Sequence, residues 1–189
     1  MSLTPSNEVK LGTSAPPFAL PDPTGKIYRL EDFKDAPTLL VAFICNHCPF
    51  VKHLKRELAQ FARDYAPKGL VVVAINANDE KEYPEDSLPN MAKDVKRFGY
   101  IFPYLQDKSQ QVATAYRAAC TPDFFLYGKD HRLFYHGQFD DSRPNNDKPV
   151  TGADLRAAAD AVLRGGPPPA RQLPSIGCNI KWLAGNAPA

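Results

Sequence analysis

The sequence carries almost no net charge and no long apolar run, and both absences narrow its function. Its 23 Lys and Arg against 21 Asp and Glu give a formal net charge of +2. That charge is too small to suggest a nucleic acid or an anionic membrane as the main partner. No stretch approaches the roughly 20 consecutive apolar residues of a membrane span, and no apolar segment follows a basic start at the N-terminus. We therefore expect no membrane span, no secretory leader and a cytoplasmic location.

Cysteine is also scarce, with four in 189 residues. This number is too small for the disulfide-stapled scaffold of a small secreted protein. Two of the four lie two residues apart in "FICNHCPFVKH", residues 43–53. In a reducing compartment, cysteines at this spacing are more often catalytic or metal-binding than structural.

The pattern around this dithiol predicts a strand, a helix and a second strand. "TLLVAFI", residues 38–44, is a continuous apolar run typical of a strand buried on both faces. Apolar residues then recur at spacings of three and four from Val51 to Tyr65, which indicates an amphipathic helix. "KGLVVVAINAN" reads as another buried strand, and the crossover between the two is long enough for parallel pairing.

Over the whole chain the predicted element order is β-β-β-α-β-α-β-α-β-β-α. This order implies an α/β fold with a mixed central β-sheet flanked by helices. We expect three segments: an N-terminal arm at 1–13, one domain at 14–166, and a proline-rich C-terminal extension at 167–189 that docks on the domain through its apolar "SIGCNIKW" patch.

The dithiol is predicted to begin the helix, and this position would activate it. A helix N-terminus carries unpaired N–H groups and favours an anion, so we expect Cys45 to be the thiolate that attacks a disulfide. Cys48, about one turn on, would attack the resulting mixed disulfide and release the product. Asn46 and His47, between the two cysteines, would tune the thiol pKa and the reduction potential.

Other uses of the dithiol fit less well. A structural zinc site usually has four protein ligands. The sequence offers three, Cys45, Cys48 and His53, and no second pair of ligands lies nearby in the sequence. Covalent haem attachment needs His directly after the second cysteine, where this chain has Pro49. Two buried structural cysteines remain the other alternative. We expect no bound metal and no cofactor beyond a redox-active Cys45–Cys48 disulfide.

"FICNHCPF" and "VATAYRAACTPDFFLYG" resemble the thioredoxin-like superfamily. Within it they are most similar to the redoxin branch of thiol-specific antioxidant (peroxiredoxin-like) proteins and thiol–disulfide oxidoreductases, over roughly residues 14–164. The resemblance implies a thioredoxin-like fold with extra N-terminal strands and a C-terminal extension. It also implies that the Thr121-Pro122 peptide bond is cis and that this pair lines a substrate groove opposite the dithiol.

The residues just before the dithiol differ from those of the families that the chain resembles. Ile44 replaces the Trp that precedes the thioredoxin dithiol, and residues 38–44 hold no acid to accept a proton from Cys48. Peroxiredoxins carry Pro and Thr ahead of the peroxide-reactive cysteine, at positions where this chain has Thr38 and Ala42. Because the residues that would position peroxide are missing, a peroxidase of the usual peroxiredoxin type is disfavoured.

The two remaining cysteines are candidate auxiliary thiols. The resemblance brings Cys120 near the dithiol, where it is either a packing residue or a contact of the site. Cys178 lies in the C-terminal extension, and it would be a third redox thiol if that segment docks near Cys45 or Cys120.

Together these features predict a thiol–disulfide oxidoreductase. Its partners would be a protein or small-molecule disulfide and a thiol electron donor. A thiol-dependent peroxidase, in which Cys45 is oxidised to a sulfenic acid and Cys48 closes the disulfide, is the first alternative. A non-catalytic metal-handling or redox-sensing module is the second.

Overall fold

The helices and strands follow the apolar pattern of the chain, and the computed structural model describes residues 3–187. The described strands are β1 (Leu3–Pro5), β2 (Ala19–Pro21), β3 (Ile27–Arg29), β4 (Thr38–Phe43), β5 (Leu70–Asn76), β6 (Tyr104–Gln106), β7 (Cys120–Thr121), β8 (Asp123–Tyr127), β9 (Leu133–Gly137) and β10 (Ile176–Asn179). The α-helices are α1 (Pro49–Tyr65), α2 (Leu88–Phe98), α3 (Gln111–Tyr116) and α4 (Ala153–Leu163). No helix within residues 3–187 is both long and apolar enough to cross a membrane.

The central sheet has five strands in the order β6-β5-β4-β8-β9. Strand β4 pairs parallel with β5 and antiparallel with β8, so the sheet is mixed. All six residues of β4 are buried because both faces of the sheet are covered. Alternate residues enter different cores: Leu40 and Ala42 pack with α1, whereas Leu39 and Val41 pack on the opposite face. The predicted α/β fold with a mixed sheet flanked by helices is confirmed.

A second sheet, of three strands in the order β1-β10-β7, lies outside the predicted element order. It joins the N-terminal arm and the C-terminal extension to the strand that precedes Pro122. Strand β10 runs antiparallel to both neighbours, with Cys178 opposite Thr121 and also opposite Leu3. The apolar alternation of such short segments was too brief to predict them as strands. The division at 1–13, 14–166 and 167–189 stays a prediction, and residues 1, 2, 188 and 189 lie outside the described part of the chain.

The helix start differs from the sequence-based expectation. Strand β4 ends at Phe43, α1 begins at Pro49, and Cys48 is the N-cap residue in an extended conformation (φ −60°, ψ 126°). Proline disfavours helical dihedrals for the residue before it and is well suited to the first helical position. The prediction that Cys45 begins the helix is therefore wrong, and it is Cys48 that lies at the positive end of α1.

Candidate active site

Three cysteine sulfurs and the backbone of Thr121 meet at the N-terminus of α1. The Sγ of Cys48 lies 2.9 Å from the Sγ of Cys178 and 3.2 Å from the carbonyl oxygen of Thr121. The Sγ of Cys45 lies 3.3 Å from the hydroxyl of Thr121. Cys45 and Cys48 are fully buried and Cys178 is 2% exposed. The structure thus brings the predicted dithiol, the predicted groove residue and one predicted auxiliary thiol into direct contact.

Thr121 faces the dithiol from the strand that precedes Pro122. The peptide bond between these two residues is cis. Strand β7 presents the Thr121 carbonyl to Cys48 and the Thr121 hydroxyl to Cys45. The backbone of this residue is therefore placed to hold an extended chain against the two sulfurs.

Cys48 is the cysteine whose charged form the site stabilises. The thiol of Cys45 donates to it, the thiol of Cys178 does the same, and the backbone N–H of Val51 points at it from the first turn of α1. These donors outweigh the burial that opposes ionisation, and the pKa of Cys48 is lowered to about 5. The Thr121 carbonyl acts the other way, since it accepts a hydrogen bond only from the thiol form.

The surroundings of Cys45 disfavour its charged form. Burial raises the pKa of its thiol well above the usual range, and the interactions with Cys48 and with the carboxylate of Asp86 act in the same direction. The Thr121 hydroxyl acts in the other direction and favours the Cys45 thiolate. Burial and the neighbouring carboxylate thus oppose the thiolate that the sequence predicts at Cys45, and which of the two cysteines attacks stays a prediction.

The two other cysteines are held as thiols. Burial and the hydrogen bond to Cys48 raise the pKa of Cys178 to about 12. Burial and the nearby charge of Asp123 raise the pKa of Cys120 well above its usual range. The Sγ of Cys120 lies 3.6 Å from the carbonyl oxygen of Pro122. Cys120 is thus a buried neighbour of the groove, and Cys178 is the one that touches the dithiol.

A buried carboxylate that the sequence analysis missed lies beside Cys45. Asp86, in the turn before α2, has a fully buried side chain and binds His47 Nδ1 at 2.6 Å. It also accepts hydrogen bonds from the Asn46 backbone at 2.6 Å and the Asn78 side chain at 2.8 Å. Burial alone would raise its pKa, but these three donors lower it. The sequence around the dithiol holds no acid. Asp86 brings one beside Cys45 from a loop that lies well after Cys48 in the chain.

The Asn46-His47 pair is fixed by its neighbours and does not lie open to solvent. The ring of Tyr83 stacks on His47 with centroids 4.8 Å apart. The hydroxyl of Tyr104 donates to the Asn46 side chain at 2.9 Å, and the buried ammonium of Lys55 donates to the Asn46 carbonyl at 3.1 Å. Lys55 also pairs with a carboxylate of α2. These contacts hold the loop between the two cysteines in one conformation.

The metal ligands considered from the sequence are not brought together. The Nε2 of His53 binds the hydroxyl of Ser142 at 2.7 Å. The donor atoms that do cluster, within 4.8 Å of one another, belong to Cys45, His47 and Asp86. Thiolate, imidazole and carboxylate are all zinc ligands, yet here the carboxylate and the imidazole are already hydrogen-bonded to each other.

Comparison with known proteins agrees with this geometry. The AhpC/TSA family profile matches residues 11–136. The chain belongs to the AhpC/TSA family. Thiol-disulfide oxidoreductase ResA of Geobacillus kaustophilus (strain HTA426) is 30% identical over 129 residues, which cover 67% of this chain and 68% of that protein. The comparisons therefore assign this chain to the oxidoreductases.

Solved structures extend the likeness to the whole fold. The hypothetical protein SMc02350 from Sinorhizobium meliloti 1021 is 61% identical, with a TM-score of 0.95 over 96% of this chain and 100% of that one. A thiol:disulfide interchange protein of the thioredoxin family from Chlorobium tepidum TLS is 18% identical, with a TM-score of 0.62 over 83% of this chain and 99% of that one. The second likeness shows the fold alone, and it is the thioredoxin-like fold.

The donors around Cys48 predict an unusually acidic thiol. In the reduced protein, iodoacetamide should modify Cys48 with a pH profile whose midpoint is about 5, because only the thiolate reacts. Cys45→Ala removes the largest stabilising donor, so the midpoint should move to higher pH. Peptide mapping of the alkylated protein across a pH series measures both. A midpoint near the usual value of about 8.5 in the reduced wild type would contradict the assignment.

The hydrogen bonds of Asp86 predict that the free energy of unfolding falls at acid pH. Because the folded pKa of Asp86 lies below its unfolded value, its contribution is fully present above the unfolded pKa of about 3.9 and is lost as the pH falls through the folded pKa. Asp86→Asn should cost about 1.5–3 kcal/mol at neutral pH, the value of hydrogen bonds to a charged group. The gap to wild type should close as the pH falls below about 4.

Denaturant unfolding at several pH values checks this, with Asp35→Asn as the control because Asp35 is exposed. A gap that stays constant down to acid pH would show that the charge of Asp86 is not what stabilises the site.

Proposed function

We propose that this protein is a thiol–disulfide oxidoreductase that cycles between a Cys45/Cys48 dithiol and its disulfide. The observation that carries the proposal is the position of the Cys48 sulfur at the start of α1, in contact with a second thiol and with the backbone of Thr121. A low-pKa thiol beside a partner thiol is the arrangement that thiol–disulfide exchange needs. The names of the ResA relatives and the AhpC/TSA match support the same chemistry.

In the proposed cycle Cys48 attacks and Cys45 resolves, which reverses the order expected from the sequence. The Cys48 thiolate bonds to one sulfur of the substrate disulfide, and the other substrate sulfur leaves and takes up a proton. Cys45 then loses its proton and attacks Cys48, so that the Cys45–Cys48 bond forms and the second substrate sulfur leaves as a thiol. Two electrons pass from the dithiol to the substrate, and a thiol donor returns them.

The His47–Asp86 pair is proposed to handle the proton of Cys45. Its donor atoms lie within 4.8 Å of the Cys45 sulfur, and Asp86 holds the imidazole through Nδ1. Asp86 therefore fixes the orientation of the imidazole ring beside Cys45. This supplies the proton acceptor that the sequence around the dithiol lacks, and it gives His47 and Asn46 their tuning role.

The proposed substrate is a disulfide on an extended protein segment or a small molecule that reaches Thr121 and Pro122. Because both active cysteines are fully buried, β10 must move away from Thr121 before an outside disulfide can reach them. A crevice beside this strand, lined by Phe50, Pro122 and Ile176 among others, offers a place to dock. A cytoplasmic thiol donor, with no cofactor beyond the redox disulfide, completes the proposal.

Insulin reduction with dithiothreitol as donor tests the activity. Wild type should reduce insulin disulfides, and both Cys48→Ser and the Cys45→Ser, Cys178→Ser double variant should fall to the uncatalysed background. Cys48→Ser removes the attacking sulfur, and the double variant leaves Cys48 without a neighbouring thiol to resolve the mixed disulfide. Cys120→Ser is the matched control and should keep the activity, since its sulfur contacts Pro122 and not the dithiol. A wild type that consumes hydroperoxide but not insulin disulfide would make the peroxidase alternative correct, and stoichiometric zinc that blocks thiol labelling would favour the metal module.

Trapping a mixed disulfide tests the order of attack. In a Cys45→Ser, Cys178→Ser double variant, both sulfurs that touch Cys48 are gone, so the substrate should stay covalently attached to Cys48. The Cys48→Ser variant should trap none. Mass spectrometry of the adduct decides, and a stable adduct on Cys45 in Cys48→Ser would restore the order expected from the sequence.

A further inference from the structure

The C-terminal strand occupies the place where an extended substrate would lie. Strand β10 pairs antiparallel with β7, with Cys178 opposite Thr121 and Asn179 opposite Cys120. This is the strand addition by which extended peptides bind an exposed edge. The partner here is part of the same chain, and it carries a cysteine at the position that faces the dithiol.

Close approach of β10 to Thr121 depends on glycine. A Cβ built on Gly177 would lie 2.1 Å from the Thr121 carbonyl oxygen and 2.7 Å from its carbonyl carbon. Any larger residue would therefore push the strand away from Thr121. The residue before Cys178 thus lets the tail backbone reach the bottom of the groove, and the sulfur follows it.

Contacts on both sides of Cys178 hold the strand in this position. Before it, the backbone N–H of Ser6 donates to the carbonyl of Ser175 at 2.9 Å, next to the pairing of β10 with β1. After it, the backbone N–H of Lys181 donates to the side chain of Asn78 at 2.9 Å. Asn78 also binds Asp86, so the tail is connected to the acid–histidine pair of the active site.

These contacts leave the Cys178 and Cys48 sulfurs 2.9 Å apart, less than about 1 Å longer than a disulfide bond of about 2.05 Å. Cys48 therefore has two sulfur neighbours, Cys45 on one side and Cys178 on the other. Cys178 contacts the Cys48 sulfur, which is the sulfur that the substrate would contact. It belongs to β10, the strand that pairs with β7 where an extended substrate would pair.

We propose that Cys178 is a third redox thiol of this enzyme and that the C-terminal strand is its internal substrate. The inference rests on the proposed dithiol function. In the oxidised chain, Cys178 loses its proton and attacks Cys48; the Cys48–Cys178 bond forms, the Cys45–Cys48 bond breaks, and Cys45 leaves and takes up a proton. No electrons enter or leave the chain in this step. The product is still a disulfide, now between Cys48 and Cys178, and it links the C-terminal strand covalently to the active site.

The Cys45→Ser variant tests this directly because it removes the competing partner of Cys48. Treatment with diamide, which takes two electrons and two protons from a pair of thiols, should join Cys48 to Cys178 within one chain. Non-reducing peptide mapping detects the bond. Adding Cys178→Ser should abolish it, whereas adding Cys120→Ser should leave it intact, because the Cys120 sulfur points to the Pro122 carbonyl.

Oxidised wild type provides the second measurement. After one equivalent of oxidant, part of the protein should carry Cys48–Cys178 and expose an alkylatable Cys45 after acid quenching and denaturation. Cys178→Ser should lose that fraction completely and keep the Cys45–Cys48 bond. If Cys45→Ser forms no Cys48–Cys178 bond while wild type still reduces insulin, the third thiol is refuted and the dithiol function stands. If wild type forms neither bond, the proposed function fails as well.

Gly177→Ala separates tail docking from the chemistry of Cys178. The added methyl group should displace β10 and raise the rate of Cys48 alkylation in the reduced protein by about tenfold or more, the effect of a clash of this size on a local equilibrium. The Cys48–Cys178 fraction should fall although Cys178 is intact. Gly128→Ala is the matched control, since its added Cβ meets nothing closer than 3.6 Å. An unchanged Cys48–Cys178 fraction in Gly177→Ala would show that strand docking does not deliver the sulfur.

Discussion

The active site depends on the pairing of β10 with the backbone of Thr121. This pairing places a third sulfur against Cys48, in a site where Cys45 and Cys48 are fully buried. The Thr121 strand is therefore shared between two uses: it faces the dithiol on one side and holds the tail on the other. Access of any outside substrate must compete with this internal strand.

Burial also determines the electrostatics of the sulfurs. With water excluded, the charge of one thiolate is stabilised only by fixed donors, and those donors converge on Cys48 at the start of α1. Cys45 is left beside the Asp86 carboxylate, which opposes a second anion. The donors that favour a charge on Cys48 and the carboxylate that opposes one on Cys45 thus belong to the same arrangement. The tail contributes to this arrangement because the Cys178 thiol is one of the donors around Cys48.

The fold could be predicted from the sequence because its signals are local. The uninterrupted apolar run of β4, the three-and-four spacing of α1 and the second apolar run of β5 each lie within a single window. The Cys45–Cys48 spacing likewise predicted the dithiol that the structure places beside Thr121. The start of α1 could also have been predicted, since Pro49 disfavours a helical conformation for Cys48.

The rest of the site is non-local and could not be predicted in this way. Asp86 reaches His47 from a proline-broken loop whose polar composition gave no sign of burial. Cys178 reaches Cys48 across 130 residues of chain, through a strand of four residues that pairs with two others of three and two residues. No periodicity in segments this short indicates a partner. Their position follows from tertiary pairing, which a single sequence does not contain.

Amide hydrogen exchange of Ile180, the residue directly after β10, tests the central claim most directly in the reduced protein. The backbone N–H of Ile180 donates to the Ala119 carbonyl at 3.2 Å, so this amide reports whether the tail is docked beside Thr121. The account predicts protection comparable to that of the central sheet's edge strands, because opening requires the tail to leave the groove. Exchange of the Ile180 amide at the rate of an unstructured chain would contradict it.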